Sequence, residues 1–336
     1  MPTTKKQHLV WRKYLAPWTD DPTTTKGRIF MLLKSEKKIC PSHLMGVGVD
    51  NYTYDISMIT EQDKQVAITY FKKWLASQTT LDIPLKINDS EETFEKDFIE
   101  KNYISIIEGH GNRILNELYN ESFPFDKVAI KDRILEIMRL NLNFALMGNP
   151  LLSEKECLAL ALYALEHIND KDERFEFFEF FSSQFLRTWR GQDSVLNAAK
   201  EANEKFPDSS FCGTSEALFP LMLAINTFIF ASYFTKNSFF IELLKNNTSK
   251  DFITGDNPII NLCADYTKAN TGSPKKDEWY YPITPKIAII CKNSINKNIT
   301  SEITDIQQVE AYNLKIAQAA TKQVYALAEE DLKEFL

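Results

Sequence analysis

Two residues in this sequence have a chemistry and a setting that could serve a site: an acid in a turn and a histidine near the start. The acid is Asp256, within "FITGDNPIINL", where Gly, Asp, Asn and Pro interrupt two apolar runs. Phe252 to Thr254 read as a strand. Gly255 is expected to supply backbone angles that other residues avoid. Pro258 removes a backbone donor and holds Asn257 extended, so the chain must leave its sheet there. Asp256 then stands at a strand end, either presented for function or closing an Asx-type turn with Asn257. The histidine is His8 in "KKQHLVWRKYLAPW". A neutral imidazole is the usual general base near pH 7 and a frequent metal ligand. Trp11, Tyr14, Leu15 and Trp18 give this segment an apolar face that would pin it to the body.

The other candidates carry less. His110 lies between glycines in a helical pattern, His167 at a helix end where a cation suits the dipole, and His43 in a loop. The five cysteines (Cys40, Cys157, Cys212, Cys263, Cys291) form no C-x-x-C pair. Neither a zinc knuckle nor a disulfide framework is indicated, and free thiols in a reducing cytoplasm are expected. Only 10 glycines occur in 336 residues, with no dinucleotide or phosphate-loop pattern among them. The net charge of −7 argues against a broad nucleic-acid surface.

The elements that must position these residues fall into three stretches of a single domain, 1–336. Residues 7–60 hold the N-terminal segment, with "RIFMLLK" as a strand after a turn-rich run. Residues 61–236 carry helical spacing almost throughout, from "TEQDKQVAITYFKKWLAS" to "DERFEFFEFFSSQFLRTW", and predict a helical body. Within it, Ala217 to Phe234 has no charge. Pro220, Asn226 and the lack of a second span make it a buried core helix rather than a membrane span. Residues 237–336 return to short apolar runs, "SFFIELLK", "KDFITG" and "PKIAIICK", then an amphipathic helix in "DIQQVEAYNLKIAQAATKQ" and a last strand in "VYALA". The expected fold is α+β and mainly α-helical, with a small mixed or antiparallel sheet built from the N- and C-terminal segments. The start of the chain has no apolar signal region.

Several short motifs occur in a fixed order: "QH-x-V-x-x-x-YL" from Gln7, "IEG" from Ile107, "Q-x-L-R-T" from Gln184, "FITGDNP", "YPITP" from Tyr281, and "YN-x-x-I-x-x-A…VYA" near the end. With them the chain resembles the bacterial domain-of-unknown-function family 4238. Trp11, Gly255 and Trp18 depart from the family's usual Pro, Ser and Phe. The resemblance groups Gln7, His8, Glu108, Gln184, Arg187, Asp256 and Asn257.

Gln184 and Arg187 are three apart and share one helix face among phenylalanines. Polar groups there cost about 1–3 kcal/mol each unless paired. Two functions follow from the grouping. In one, His8, Glu108, Arg187 and Asp256 act catalytically, with Gln7, Gln184 and Asn257 in support. The chain is then expected to be a hydrolase-like effector acting on a phosphodiester, in a phage-defence or toxin setting, with another defence protein as partner. An arginine beside Asp256 would keep it ionised. In the other, the cluster is a structural network in a non-enzymatic binding or regulatory module. No spacing supports a metal site, and neither a cofactor nor a substrate can be read.

Overall fold

The computed structural model describes residues 6–51, 174–194, 197, 218–237, 239–267, 276–293 and 299–336. The helices expected between residues 61 and 173, together with Glu108, His110 and His167, lie outside the described residues.

The described chain begins with β1 (Lys6–His8), α1 (Arg12–Leu15) with a 3-10 turn at Ala16–Trp18, β2 (Arg28–Leu33), β3 (Lys38–His43) and β4 (Val49–Asn51). It resumes with α2 (Arg174–Leu186) and α3 (Leu218–Lys236). Then come β5 (Phe239–Asn246), β6 (Thr254–Gly255), β7 (Ile260–Asn261), β8 (Glu278–Thr284), β9 (Ile287–Asn293) and β10 (Ile299–Ile303). α4 (Ile306–Ala319), β11 (Gln323–Ala326) and α5 (Glu330–Lys333) close it.

Two principal sheets result, a five-stranded one in the order β10-β5-β9-β8-β7 and a four-stranded one in the order β3-β2-β11-β6. β1 and β4 form a separate antiparallel pair. Among the described residues every pairing is antiparallel except that of β10 with β5.

Side-chain alternation explains the layers. On β5, β8 and β9 the odd-numbered Phe239, Ile241, Tyr281, Ile283, Ile289 and Cys291 pack with the phenylalanines of α2 and α3. The even-numbered Leu244, Tyr280, Ala288 and Ile290 pack with Val309 and Ile316 of α4 on the other face. Leu32 and Val324 of the four-stranded sheet join that second cluster, so α4 covers parts of both sheets. Such strands, buried on both faces, are apolar almost throughout rather than alternating with polar residues.

The expectation of a mainly helical protein with one small sheet is wrong. The described residues are 35% helix and 30% strand, a sheet-rich α+β arrangement. The short β1, β4 and β7 were missed, and so were three longer strands that are polar or proline-bearing: β3 "KICPSH", β8 "EWYYPIT" and β10 "ITSEI". β3 is an edge strand, where proline removes no needed ladder bond, and Pro282 sits at an irregularity of β8. His43, expected in a loop, closes β3. Among the described residues no helix is long and apolar enough to cross a membrane. Phe219, Leu223, Phe228 and Phe234 of α3 are buried, as are its Asn226 and Thr227.

Candidate functional site

The GDNP turn carries the chain from one sheet to the other. β6 ends at Gly255 in the four-stranded sheet, and β7 opens at Ile260 in the five-stranded one. Gly255 is needed for space rather than for unusual angles. A Cβ there would lie 3.2 Å from both the Ala320 Cβ and the Gln323 carbonyl oxygen.

Asp256, the next residue, is 1% exposed. Its Oδ1 accepts the Thr321 amide at 2.7 Å, and its Oδ2 accepts those of Lys322 and Gln323 at 2.5 and 2.7 Å. The Thr321 and Lys322 amides lie in the turn between α4 and β11, and Gln323 opens β11. Burial, the largest influence, holds the Asp256 carboxyl above its ordinary value, and the three amides and the charge of Lys34 offset this only in part. Three donors with no acceptor among its hydrogen-bond partners is the geometry of the ionised form. The cation in its field is Lys34, not the arginine expected from the sequence.

The carbonyls on the other side of this junction are held by side chains. Helix ends leave their last carbonyls without intrahelical donors. Lys34 Nζ donates to Ala317 and Ala320 at 2.8 and 2.5 Å. Arg190 Nε donates to Ala319 at 3.2 Å, and Asn257 Nδ2 makes a longer contact there at 3.5 Å. Thr188 Oγ1 lies 3.4 Å from Asn257 Oδ1 and also receives the Gly191 amide. The α4–β11 junction is thus gripped from the residue that follows β2, from the GDNP turn and from the residues after α2.

His8 and Arg187 meet at one edge of this assembly. Arg187, 1% exposed, donates through Nη2 to the His8 backbone carbonyl at 2.5 Å. The His8 imidazole is pushed down to about 4, chiefly by burial and then by the charges of Arg12 and Arg187, against the Val47 carbonyl. The segment is tied onward to Asp256 through backbone and side chain. Leu9 and Val10 amides donate to the Gly48 carbonyl, and the Gly48 amide donates to Gln323 Oε1 at 3.1 Å. Gln323 in turn gives its own amide to Asp256. His8 and Asp256 therefore belong to one connected network without a direct bond between their side chains.

Gln184 lies on α2, 1% exposed, and neither of its amide atoms has a hydrogen-bond partner among the described residues. Gln7 sits in β1 opposite Asp50. Glu108 is not among the described residues. Among those that are, no three His, Cys, Asp or Glu side chains stand close enough to hold a metal ion.

Sequence reasoning missed Lys34, Arg190, Gln323 and Asn313. The last had a signal, as the Asn of the "YN" motif. Its Oδ1 accepts the Ile253 amide at 3.0 Å and its Nδ2 donates to the Asp251 carbonyl at 2.8 Å, aligning the strand that leads into Asp256.

Taken together, the fold and the site define a sheet-rich α+β protein whose GDNP turn, through Asp256 and Asn257, holds one helix–strand junction. The pattern of the family described as "Protein of unknown function (DUF4238)" matches residues 156–330, slightly more than half of the chain, and the chain belongs to that family. The match takes in Gln184, Arg187, Asp256 and Asn257, while Gln7, His8 and Glu108 fall before it. No curated protein and no solved structure matches the chain.

Proposed function

We propose that this chain is a non-enzymatic binding or regulatory module in which the GDNP cluster is a structural network. The observation that carries this reading is the closure of Asp256, whose two carboxylate oxygens are taken up by three backbone amides. A carboxylate so engaged, 1% exposed and with both oxygens already accepting backbone amides, is poorly placed to activate water. His8 supports the same reading. A general base works best with a pKa near the working pH, and an imidazole held at about 4 is a weak one. The free Cys40, Cys263 and Cys291 are consistent with a cytoplasmic setting.

The test compares the wild type with Asp256→Asn on bis(p-nitrophenyl) phosphate, a general phosphodiester probe, with melting followed in parallel. The expected result is no turnover by either protein and a lower melting temperature for the variant. Turnover by the wild type, abolished in a variant of unchanged stability, would restore the hydrolase-like reading.

A further inference from the structure

We propose that Arg190 and Lys34 form a binding site for the phosphate group of a small phosphorylated ligand. The two cations reach the α4–β11 junction from different elements and bond neighbouring carbonyls, those of Ala319 and Ala320. Arg190 is fixed on two sides. Its Nε is tied to Ala319, and its guanidinium lies over the Tyr266 ring, 5.2 Å from the centroid. Tyr266 is itself held, because its hydroxyl oxygen accepts the Asn261 amide at 2.8 Å.

This leaves the Nη1 and Nη2 edge without a hydrogen bond or ion pair among the described residues, in a guanidinium held by one hydrogen bond and one ring. A planar fork set in this manner matches two oxygens of a phosphate. Lys34 adds a further donor, since two of its three ammonium protons go to carbonyls.

The charges favour a dianion. Lys34 and Arg190 repel each other, and burial with that repulsion pushes the Lys34 ammonium down against the pull of Asp256. Asp256 lies in the field of Lys34 but spends its oxygens on backbone amides. A ligand bearing two negative charges would relieve the repulsion between the cations, and a single carboxylate would do so less. The net charge of −7 points to a small ligand rather than a nucleic-acid strand. Lys322 stands nearby in sequence but is committed elsewhere, over the Trp189 ring at 4.0 Å and 4.0 Å from Asp50.

This inference rests on the reading of the chain as a binding module, and its test is separate from the turnover assay. Inorganic phosphate is titrated against the full chain by calorimetry and by thermal unfolding, with sodium chloride at matched ionic strength as control. O-phosphoserine is run beside it to separate a phosphomonoester from free phosphate as the source. A saturable rise in melting temperature with either phosphate probe, absent with chloride, is expected. Arg190→Lys keeps the charge but loses the fork, and should weaken binding about tenfold or more.

Equal responses to phosphate and chloride, or undiminished affinity in Arg190→Lys, would overturn the proposal. Should that variant not fold, the Arg190 Nε–H resonance of the wild type decides: movement on phosphate addition supports the site, and a fixed resonance overturns it. A silent titration would leave the role of Asp256 intact, and turnover in the earlier assay would leave the phosphate result standing.

Discussion

Asp256 and Gln323 are joined by two opposed hydrogen bonds. The Asp256 amide donates to the Gln323 carbonyl at 2.9 Å, and the Gln323 amide donates to the Asp256 carboxylate at 2.7 Å. The first continues the ladder between β6 and β11, and the second closes the turn that delivers β11 from α4. One residue therefore ends a strand and starts its neighbour. The opposite end of Gln323 receives Gly48, which carries the Leu9–Val10 segment. Displacement at Asp256 would be felt at the N-terminus.

The His8 imidazole provides a pH signature. Its folded pKa of about 4 lies below the ordinary 6.5, so folding favours the neutral ring. That contribution is fully present above pH 6.5 and is lost as pH falls through the folded value near 4. Wild type should lose stability relative to His8→Gln across this window. A stability difference that stays flat from pH 7 to 4 would show that the ring is not held neutral.

Gln184 should be replaceable. A buried amide with no partner costs about 1–3 kcal/mol, and a side chain of similar volume without polar groups removes that cost. Gln184→Met is expected to melt at or above the wild-type temperature. A fall of several degrees would mean that the amide makes bonds on which the fold depends.

How much of this was legible in the sequence depended on the kind of signal. β2, β5, β9 and β11 have compact apolar cores, and α4 has helical spacing behind its Asp305 cap. All could be seen. β3, β8 and β10 were obscured because proline and polar residues are tolerated where a strand is an edge or irregular. Asp256 was legible as an exceptional residue, because Gly and Pro around it force the chain to turn. Its partners were not. Backbone amides 65 to 67 residues away leave no mark in side-chain identity. Lys34 and Arg190 carried no signal of their own, since nothing local shows that each reaches the end of a helix near the C-terminus.

Asn313 should be costly to remove. Its side chain stands in for a strand partner, bonding the Ile253 amide and the Asp251 carbonyl from a fully buried position. Asn313→Ala leaves both groups unpaired, and about 2–4 kcal/mol of stability should be lost on denaturant unfolding. A loss below about 0.5 kcal/mol would contradict this, for that is the scale of an ordinary surface change.

The account stands most directly on Asp256→Asn, measured by thermal unfolding and by hydrogen exchange at Thr321, Lys322 and Gln323. An amide side chain turns one acceptor into a donor facing backbone N–H groups, so at least one of the three bonds must be lost. Bonds to a charged group contribute about 1.5–3 kcal/mol each, and each kcal/mol moves a sizeable domain by roughly 2–4 °C. The predicted result is a fall of several degrees, with faster exchange at those three amides. An unchanged melting temperature and unchanged protection would contradict the structural role assigned to the GDNP turn.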